Sequence, residues 1–522
     1  MRRTVVAVLV AAVLLAAVGA SALLLLASSH DQDPGTSTDV VLAPTTAPAP
    51  AATRPPSPGL ARFYDQTLDW SSCRDSFLCA TLTVPLDYRH PEGDTIDLAL
   101  LKVPAQEPSR RIGSLVVNPG GPGAPGTDYA ASADQAFGQP LLDRFDIVGF
   151  DPRGTGSSDP VDCVSDAQLD AYVAGDPSPD TAAERAAYAG ILRSFGRGCV
   201  QRSGDLAAHL STVEAARDMD VLRAALGEMR LTYFGASYGT KLGATYADLF
   251  PHRAGRLVLD GAVDLSIGPR ELALEQAGGF ETALRAYVQD CVDHTDGCFL
   301  GSSLDEGLAK ISALLARIDT HTLPTGTDRS LEIGNAFYGI ALPLYDRDYW
   351  YVLSAALQQA MAGDGSTLLK LSDLYNSRDA GGGYSDNLIE ALYAISCADD
   401  PTAISPSQVA AQEPAFEKVS PTFGDVFAWG LTTCDGWQVK SEPRDLSVHA
   451  KGAPPIVVIG TTRDPATPMK WAEDLAGQLD SGVLVRRDGD GHTGYHAGNT
   501  CVDRAVEGYL IDGTVPEDGL SC

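Results

Sequence analysis

The chain has 522 residues, 44% of them hydrophobic, and carries a formal charge of −30. That length allows one large domain with an insertion, or two to three domains, around a sizeable core. So acidic a surface repels phosphate backbones and argues against nucleic acid as a partner; the charges are scattered along the chain, so they say little about substrate.

Met1, Arg2 and Arg3 precede a charge-free run over residues 4–29, "TVVAVLVAAVLLAAVGASALLLLASS". The apolar stretch of a signal peptide is usually about 7–15 residues, whereas this run is long enough to span a bilayer. The arginines would stay in the cytoplasm, leaving everything downstream outside. The expectation for residues 1–29 is a membrane anchor, with a signal cleaved near Ala20, Ser21 and Ala22 as the alternative. Residues 30–59, with "APTTAPAPAATRPPSPG", are too rich in Pro, Thr and Ala to fold and read as an extended tether. Ten cysteines fit an oxidising compartment. Sequence alone permits many pairings; short loops close most easily, which suggests Cys73 with Cys79, Cys163 with Cys199, Cys291 with Cys298, Cys397 with Cys434, and Cys501 with Cys522.

In chain order, "GSLVVNPGGPGAPG" joins a β-prone run at residues 115–117 to a glycine-rich loop. No G-K-[ST] follows, which weakens a phosphate-binding reading. Bare glycine amides at Gly120 and Gly121 would instead let a carbonyl oxygen approach closely. "STVEAARDMDVLRAALGEM" puts Val213, Ala216, Met219, Leu222 and Leu226 on one helical face, with Ser211 or Thr212 able to cap it. "LTYFGASYGTKLGATYADLF" then runs from a short strand through Ser237 into a helix with Leu242, Tyr246 and Leu249 at helical spacing. Helix, strand, tight turn, helix is the setting of a nucleophile elbow. The turn is so sharp that a side chain at Gly235 or Gly239 would collide with its neighbours.

A serine hydroxyl attacks only when a base takes its proton and a third group orients that base. The fold built around such elbows orders them Ser, acid, His along the chain. "RLVLDGAVD" ends a strand at Asp260, a rival acid, and "APPIVVIGTTRDPATP" ends a later one at Asp464. Asp464 could equally cap the helix starting near Thr467 or pair with Arg463. Of nine histidines, only His492 and His496 lie beyond it; His492 is chosen, with His496 in reserve. "HTGYH" lacks the glutamate of H-E-x-x-H and holds a glycine, so no metal is expected, and nothing calls for a cofactor. The strands at residues 257–259 and 456–459 should be sheet neighbours, yet far more chain separates them than the dozen or so residues of a crossover. The excess should be a mostly helical cap, since "RELALEQAGGFETALRAYVQ", "LDEGLAKISALLARI" and "WYVLSAALQQAMAG" all show helical periodicity.

Together "VVNPGGPG", "FDIVGFDPRGTGSSD", "LTYFGASYGTKLGATYADLFP", "RLVLDGAVD" and "PIVVIGTTRDPATP" resemble secreted tripeptidyl aminopeptidases, which are α/β-hydrolase serine exopeptidases related to proline iminopeptidases. The likeness runs over about residues 60–522. Pro119 stands where proline iminopeptidases carry the histidine of His-Gly-Gly-Pro-Gly, which weakens that assignment more than the tripeptidyl one. The resemblance implies an α/β-hydrolase fold with an inserted helical cap: core at 60–265, cap at 266–450, and core again, TAP-like, at 451–522. It matches a triad to Ser237, Asp464 and His492.

The oxyanion hole would be formed by the N–H of Tyr238 with Gly120 and Gly121. The resemblance also puts acids for a substrate α-ammonium in the cap, where Glu390, Asp399 and Asp400 are the candidates. The expected protein is an extracytoplasmic serine aminopeptidase, anchored or secreted, that releases short peptides, tripeptides by family resemblance, from free N-termini. A carboxylic ester hydrolase with the same triad, or a non-catalytic surface binding protein, are the alternatives.

Overall fold

The computed structural model describes residues 54–74, 76–295, 297–439 and 448–522. The apolar run and most of the tether lie outside the described residues. Among the described residues no helix is long and apolar enough to cross a membrane.

Seven main-sheet strands precede the large insertion: β1 Ser71–Cys73, β2 Phe77–Pro85, β3 Thr95–Val103, β4 Gly113–Asn118, β5 Phe145–Phe150, β6 Leu231–Ala236 and β7 Ala254–Asp260. The insertion holds a two-stranded ribbon, β8 Leu323–Pro324 and β9 Ser330–Leu331. β10 Ile456–Arg463, β11 Gly482–Asp490 and β12 Leu520–Ser521 return to the main sheet, whose order is β1-β2-β3-β5-β4-β6-β7-β10-β11-β12. β1, β2, β3 and β5 pair antiparallel, and every pair from β5 through β4 to β12 is parallel. β7 and β10 are neighbours as expected, with Leu257 opposite Ile456 and Asp260 opposite Ile459.

Parallel strands covered on both faces read as unbroken apolar runs. Leu115, Val116 and Val117 in β4, and residues 456–459 in β10, are accordingly buried throughout. Alternate residues go to opposite layers. Val116, Tyr233, Leu257 and Val458 join the cluster under the helices Thr212–Ala225 and Tyr238–Leu249. Val117, Phe234, Val258 and Val457 face the other layer, with Val502 and Leu510 of the helix Thr500–Asp512. The helix Thr212–Ala225 starts where its cap predicts, the Ser211 side chain accepting the N–H of Glu214.

Between β7 and β10 the insertion is mostly helical, and the three predicted helices appear as Pro269–His294, Leu304–Thr320 and Trp350–Met361. With Ile333–Leu344 and Ser366–Tyr375 they close over a core of their own around Leu284, Leu314, Leu344, Leu353 and Leu368. The helix Leu388–Asp399 behaves differently. Its Ile389, Ala391, Tyr393 and Ile395 bury in the sheet-side cluster with Leu242 and Tyr246, so it belongs to the core by packing although the insertion carries it.

A second helical excursion, Asp166–Ala174 and Ala182–Ser203, lies between β5 and the helix Thr212–Ala225. It reaches the insertion: a Cβ on Gly196 would lie 2.1 Å from the carbonyl oxygen of Gly436, and Phe195 stacks 4.4 Å from Tyr393. The cysteines pair as expected, all five pairs being nearest neighbours.

One buried ion pair ties the loop after β5 to its surroundings. Arg153 donates Nε and Nη2 to Asp218 at 2.8 and 2.7 Å, and its remaining N–H groups to the carbonyls of Pro85, Leu86 and His209. Both side chains are 0% exposed. Removing one partner strands the other charge in a dry interior, so Asp218→Ala should destabilise by about 3–5 kcal/mol. Denaturant titration of the two proteins measures it, and Asp218→Asn, which keeps an acceptor, should lose less.

Candidate active site

The Ser237 turn is as tight as its glycines predict. Ser237 has φ 57° and ψ −125°, a sparsely populated region for a residue with a side chain. The strain is held by Ser237 N–H donating to Asp260 O at 2.8 Å, and by the N–H and hydroxyl of Thr240 donating to Ser237 O at 2.8 and 2.6 Å. A Cβ on Gly235 would come within 2.4 Å of Gly239 O, and one on Gly239 within 2.9 Å of Asn118 O. These contacts allow only glycine, and they bring the end of β4 against the start of the helix Tyr238–Leu249.

The glycine-rich loop lies directly over the serine. At Gly120, with φ +101°, a Cβ would stand 2.8 Å from Ser237 Cβ and 2.9 Å from Tyr238 N. The Gly120 N–H, however, donates to Asn118 Oδ1 at 3.0 Å. Gly121 and Tyr238 are the two of the three expected donors whose N–H groups have no acceptor among the described residues. Gly120 therefore serves by its lack of bulk.

On the far side, His492 Nδ1 lies 2.9 Å from both oxygens of Asp464. The Asp464 side chain is fully buried. Its Oδ1 also accepts the N–H groups of Ala466 and Thr467, at 2.9 and 2.8 Å, and its Oδ2 that of Thr493 at 3.1 Å. The following helix starts only at Met469, with Pro468 at its N-cap, so Asp464 caps no helix; it closes the turn before it while facing the histidine, and Arg463 turns away to Asp488 and Asp490. Thr467, which the sequence marked only as a helix start, adds a hydroxyl 3.1 Å from Asp464 Oδ2 and 3.2 Å from His492 Nδ1.

With Nδ1 facing the acid, Nε2 is left buried and without a hydrogen-bond partner. Catalytic hydrogen bonds of free enzymes are often long and tighten when substrate binds. The imidazole borders the elbow: a Cβ on Gly261, which follows the residue holding Ser237 N–H, would lie 3.0 Å from His492 Cε1. Burial would depress the His492 pKa, but the charge of Asp464 and its hydrogen bond, with Asp260 behind, outweigh that and raise it. His496 sits apart, its Nδ1 3.0 Å from the carbonyl of Gln135.

Asp260, the rival acid, does not bond the imidazole. Its oxygens accept the N–H groups of Gly494 and Tyr495, each at 2.8 Å, so it pins the loop that carries His492. Burial pushes its carboxyl up to about 6, against the lowering effect of those two N–H groups. Asp464 is as deeply buried, but its carboxylate faces the imidazole of His492, to which Asp260 makes no hydrogen bond.

The three acids expected to meet a substrate ammonium have other partners. Glu390 Oε1 accepts the N–H groups of Cys163 and Val164, at 2.6 and 3.0 Å. Asp399 is neutralised by Lys241 Nζ at 2.6 Å and accepts the N–H and hydroxyl of Thr212. Asp400 Oδ1 accepts Thr402 N–H at 2.9 Å. Glu390 and Asp399, with Asn387 gripping Gly154, Gly156 and Val161, fasten the helix Leu388–Asp399 to the core. That helix covers the glycine loop, since a Cβ on Gly123 would lie 2.7 Å from Leu388 O.

Two substitutions test this geometry. Gly120→Ala should remove hydrolytic activity and lower the thermal midpoint, because its methyl would meet the backbone at Ala236 O and Tyr238 N as well as Ser237 Cβ; activity assays and thermal melts followed by circular dichroism read both. Asp464→Asn should lower kcat by about 10³–10⁴-fold, the amide favouring the wrong imidazole tautomer; steady-state kinetics reads it.

Residues 420–522 match the family described as "TAP-like protein". The chain is 38% identical over 479 residues to "Serine protease Hip1" of Mycobacterium tuberculosis, covering 88% of this chain and 91% of that one. It is 36% identical to "Carboxylesterase B" of the same organism, covering 87% and 89%, and 31% identical to "Tripeptidyl aminopeptidase" of Streptomyces lividans, covering 88% of each. Relatives so similar over nearly their whole lengths, and a sheet carrying a serine elbow at its centre, agree on one conclusion: the chain is a serine hydrolase and belongs to the tripeptidyl aminopeptidase family of α/β hydrolases.

Proposed function

We propose that this protein is an extracytoplasmic serine aminopeptidase that releases short peptides, tripeptides in the first instance, from free N-termini. The observation that carries the reading is the buried Asp464–His492 pair, whose Nε2 is left without a partner and whose ring borders Gly261, next to the residue that holds Ser237 N–H. Ser237 Oγ attacks the peptide carbonyl while His492 Nε2 takes its proton. Asp464 holds the imidazole in the tautomer with Nδ1–H and stabilises its charged form. The N–H groups of Gly121 and Tyr238 receive the developing oxyanion. The imidazolium then protonates the leaving amine, and a water activated by the same nitrogen frees the acyl-enzyme.

Five disulfides and the apolar run at residues 4–29 support a site of action outside the cytoplasm. For the α-ammonium, Asp400 is the cap acid with lone pairs to spare; Asp399 has its charge met by Lys241, and Glu390 holds backbone. The name of the carboxylesterase relative favours one second reading, hydrolysis of esters by the same three residues.

The two readings separate on the substrate's N-terminus. An unblocked tripeptidyl anilide should be cleaved, its N-acetylated form should not, and Ser237→Ala should abolish turnover. Equal rates on blocked and unblocked substrates would favour the esterase. Because the base works neutral and its pKa is raised, kcat/KM should fall as pH drops through a value above histidine's ordinary 6.5. Asp464→Asn should move that limb to lower pH in a pH–rate profile.

A further inference from the structure

Strand β11 ends at Asp490, two residues before His492, so whatever grips residues 488–492 decides where the imidazole points. Asp464 and Asp260 hold this loop from the core. The insertion holds it from the other side. Tyr345, at the end of the helix Ile333–Leu344, offers its carbonyl to His492 N–H at 2.7 Å. Gly491, with φ +96°, passes so close that a Cβ there would lie 2.8 Å from the same carbonyl oxygen. The Tyr345 ring stands edge-on to the imidazole, with centroids 5.3 Å apart and planes at 88°.

Two residues further on, Arg347 donates to Asp490 Oδ2 at 3.0 Å and to Asp290, in the helix Pro269–His294, at 2.5 Å. Asp490 is no ordinary surface acid, being 8% exposed. Its Oδ1 accepts from Nε of Arg463, the residue before the triad acid, at 2.5 Å. One nearly buried carboxylate therefore joins the insertion, the loop of the base and the strand of the acid.

We propose that residues 345–347 form a strap through which the insertion sets the position of His492, with Arg347 and Asp490 as positioning residues of the reaction. The inference rests on His492 acting as the base. Neither residue needs to touch substrate. An imidazole displaced by about an ångström loses much of its rate although substrate still binds. Arg347 is 53% exposed, and exposed ion pairs add little to folding, so its removal should cost rate and not stability.

The test compares wild type, Arg347→Ala, Arg347→Lys and Asp490→Asn by kcat, KM, thermal midpoint and the rate of Ser237 capture by a fluorophosphonate. The substrate is an unblocked tripeptidyl anilide, with p-nitrophenyl acetate in parallel. Arg347→Ala and Asp490→Asn should lower kcat about 10- to 100-fold with KM nearly unchanged, and slow capture in proportion. Arg347→Lys should recover most of both, with the midpoint of Arg347→Ala unmoved. A wild-type kcat in Arg347→Ala, or a loss confined to KM, overturns the strap. Ser237→Ala keeps the two ideas apart: turnover surviving in it removes the triad reading itself, whereas an inactive Ser237→Ala beside a fully active Arg347→Ala removes the strap alone.

Discussion

Everything at this site depends on backbone meeting backbone at van der Waals distance around Ser237. The left-handed turn lifts the hydroxyl clear of the sheet, and it exists only because Gly235, Gly239 and Gly120 bring no side chains to the point where three segments converge. The carbonyl of Asp260 at the end of β7 and the threonine at the first turn of the helix secure it from either side. Strain of this kind persists where the surroundings over-determine it, and here the sheet supplies them.

Around that turn, buried carboxylates divide the labour of placing one imidazole. Asp464 faces the ring, and four other protein groups donate to it, which leaves its oxygens little freedom to turn. Asp260 acts one step removed, on the peptide groups just beyond His492. Asp490 acts on the peptide just before it, through two guanidinium groups. A histidine in a glycine-rich loop would otherwise sample many positions, and catalysis by proton transfer is steeply sensitive to distance and direction.

The elbow turn, the pairing of Asp464 with His492 and the β7–β10 neighbourhood were legible in the sequence because the segments that make them are written locally. The elbow glycines flank Ser237 within the stretch that forms the turn, and the strands are continuous apolar runs. Most of what could not be read came from tertiary partners. One local feature was missed as well: Asn118 accepts the N–H of Gly120 two residues on, an Asx turn its residue type allows, which takes that N–H out of the expected donors. Glu390 and Asp399 sit on a helix the insertion carries, yet their partners, Cys163, Val164, Thr212 and Lys241, belong to distant parts of the chain. An acid's function follows from its neighbours, and those acids are engaged before any substrate arrives. The excursion Asp166–Ala174 and Ala182–Ser203 was hidden for a related reason: its helices are mixed in polarity, and only contact with the insertion reveals where they belong.

The cysteines have a consequence for where the molecule is robust. None falls within β3 to β11 of the main sheet, whereas the bridges Cys163–Cys199 and Cys397–Cys434 fasten the helices Ala182–Ser203 and Leu388–Asp399, and Cys291–Cys298 closes a turn of the insertion. Reduction would therefore loosen these helices and that turn first, while the strands from β3 to β11, which are joined by backbone hydrogen bonds alone, would keep their order.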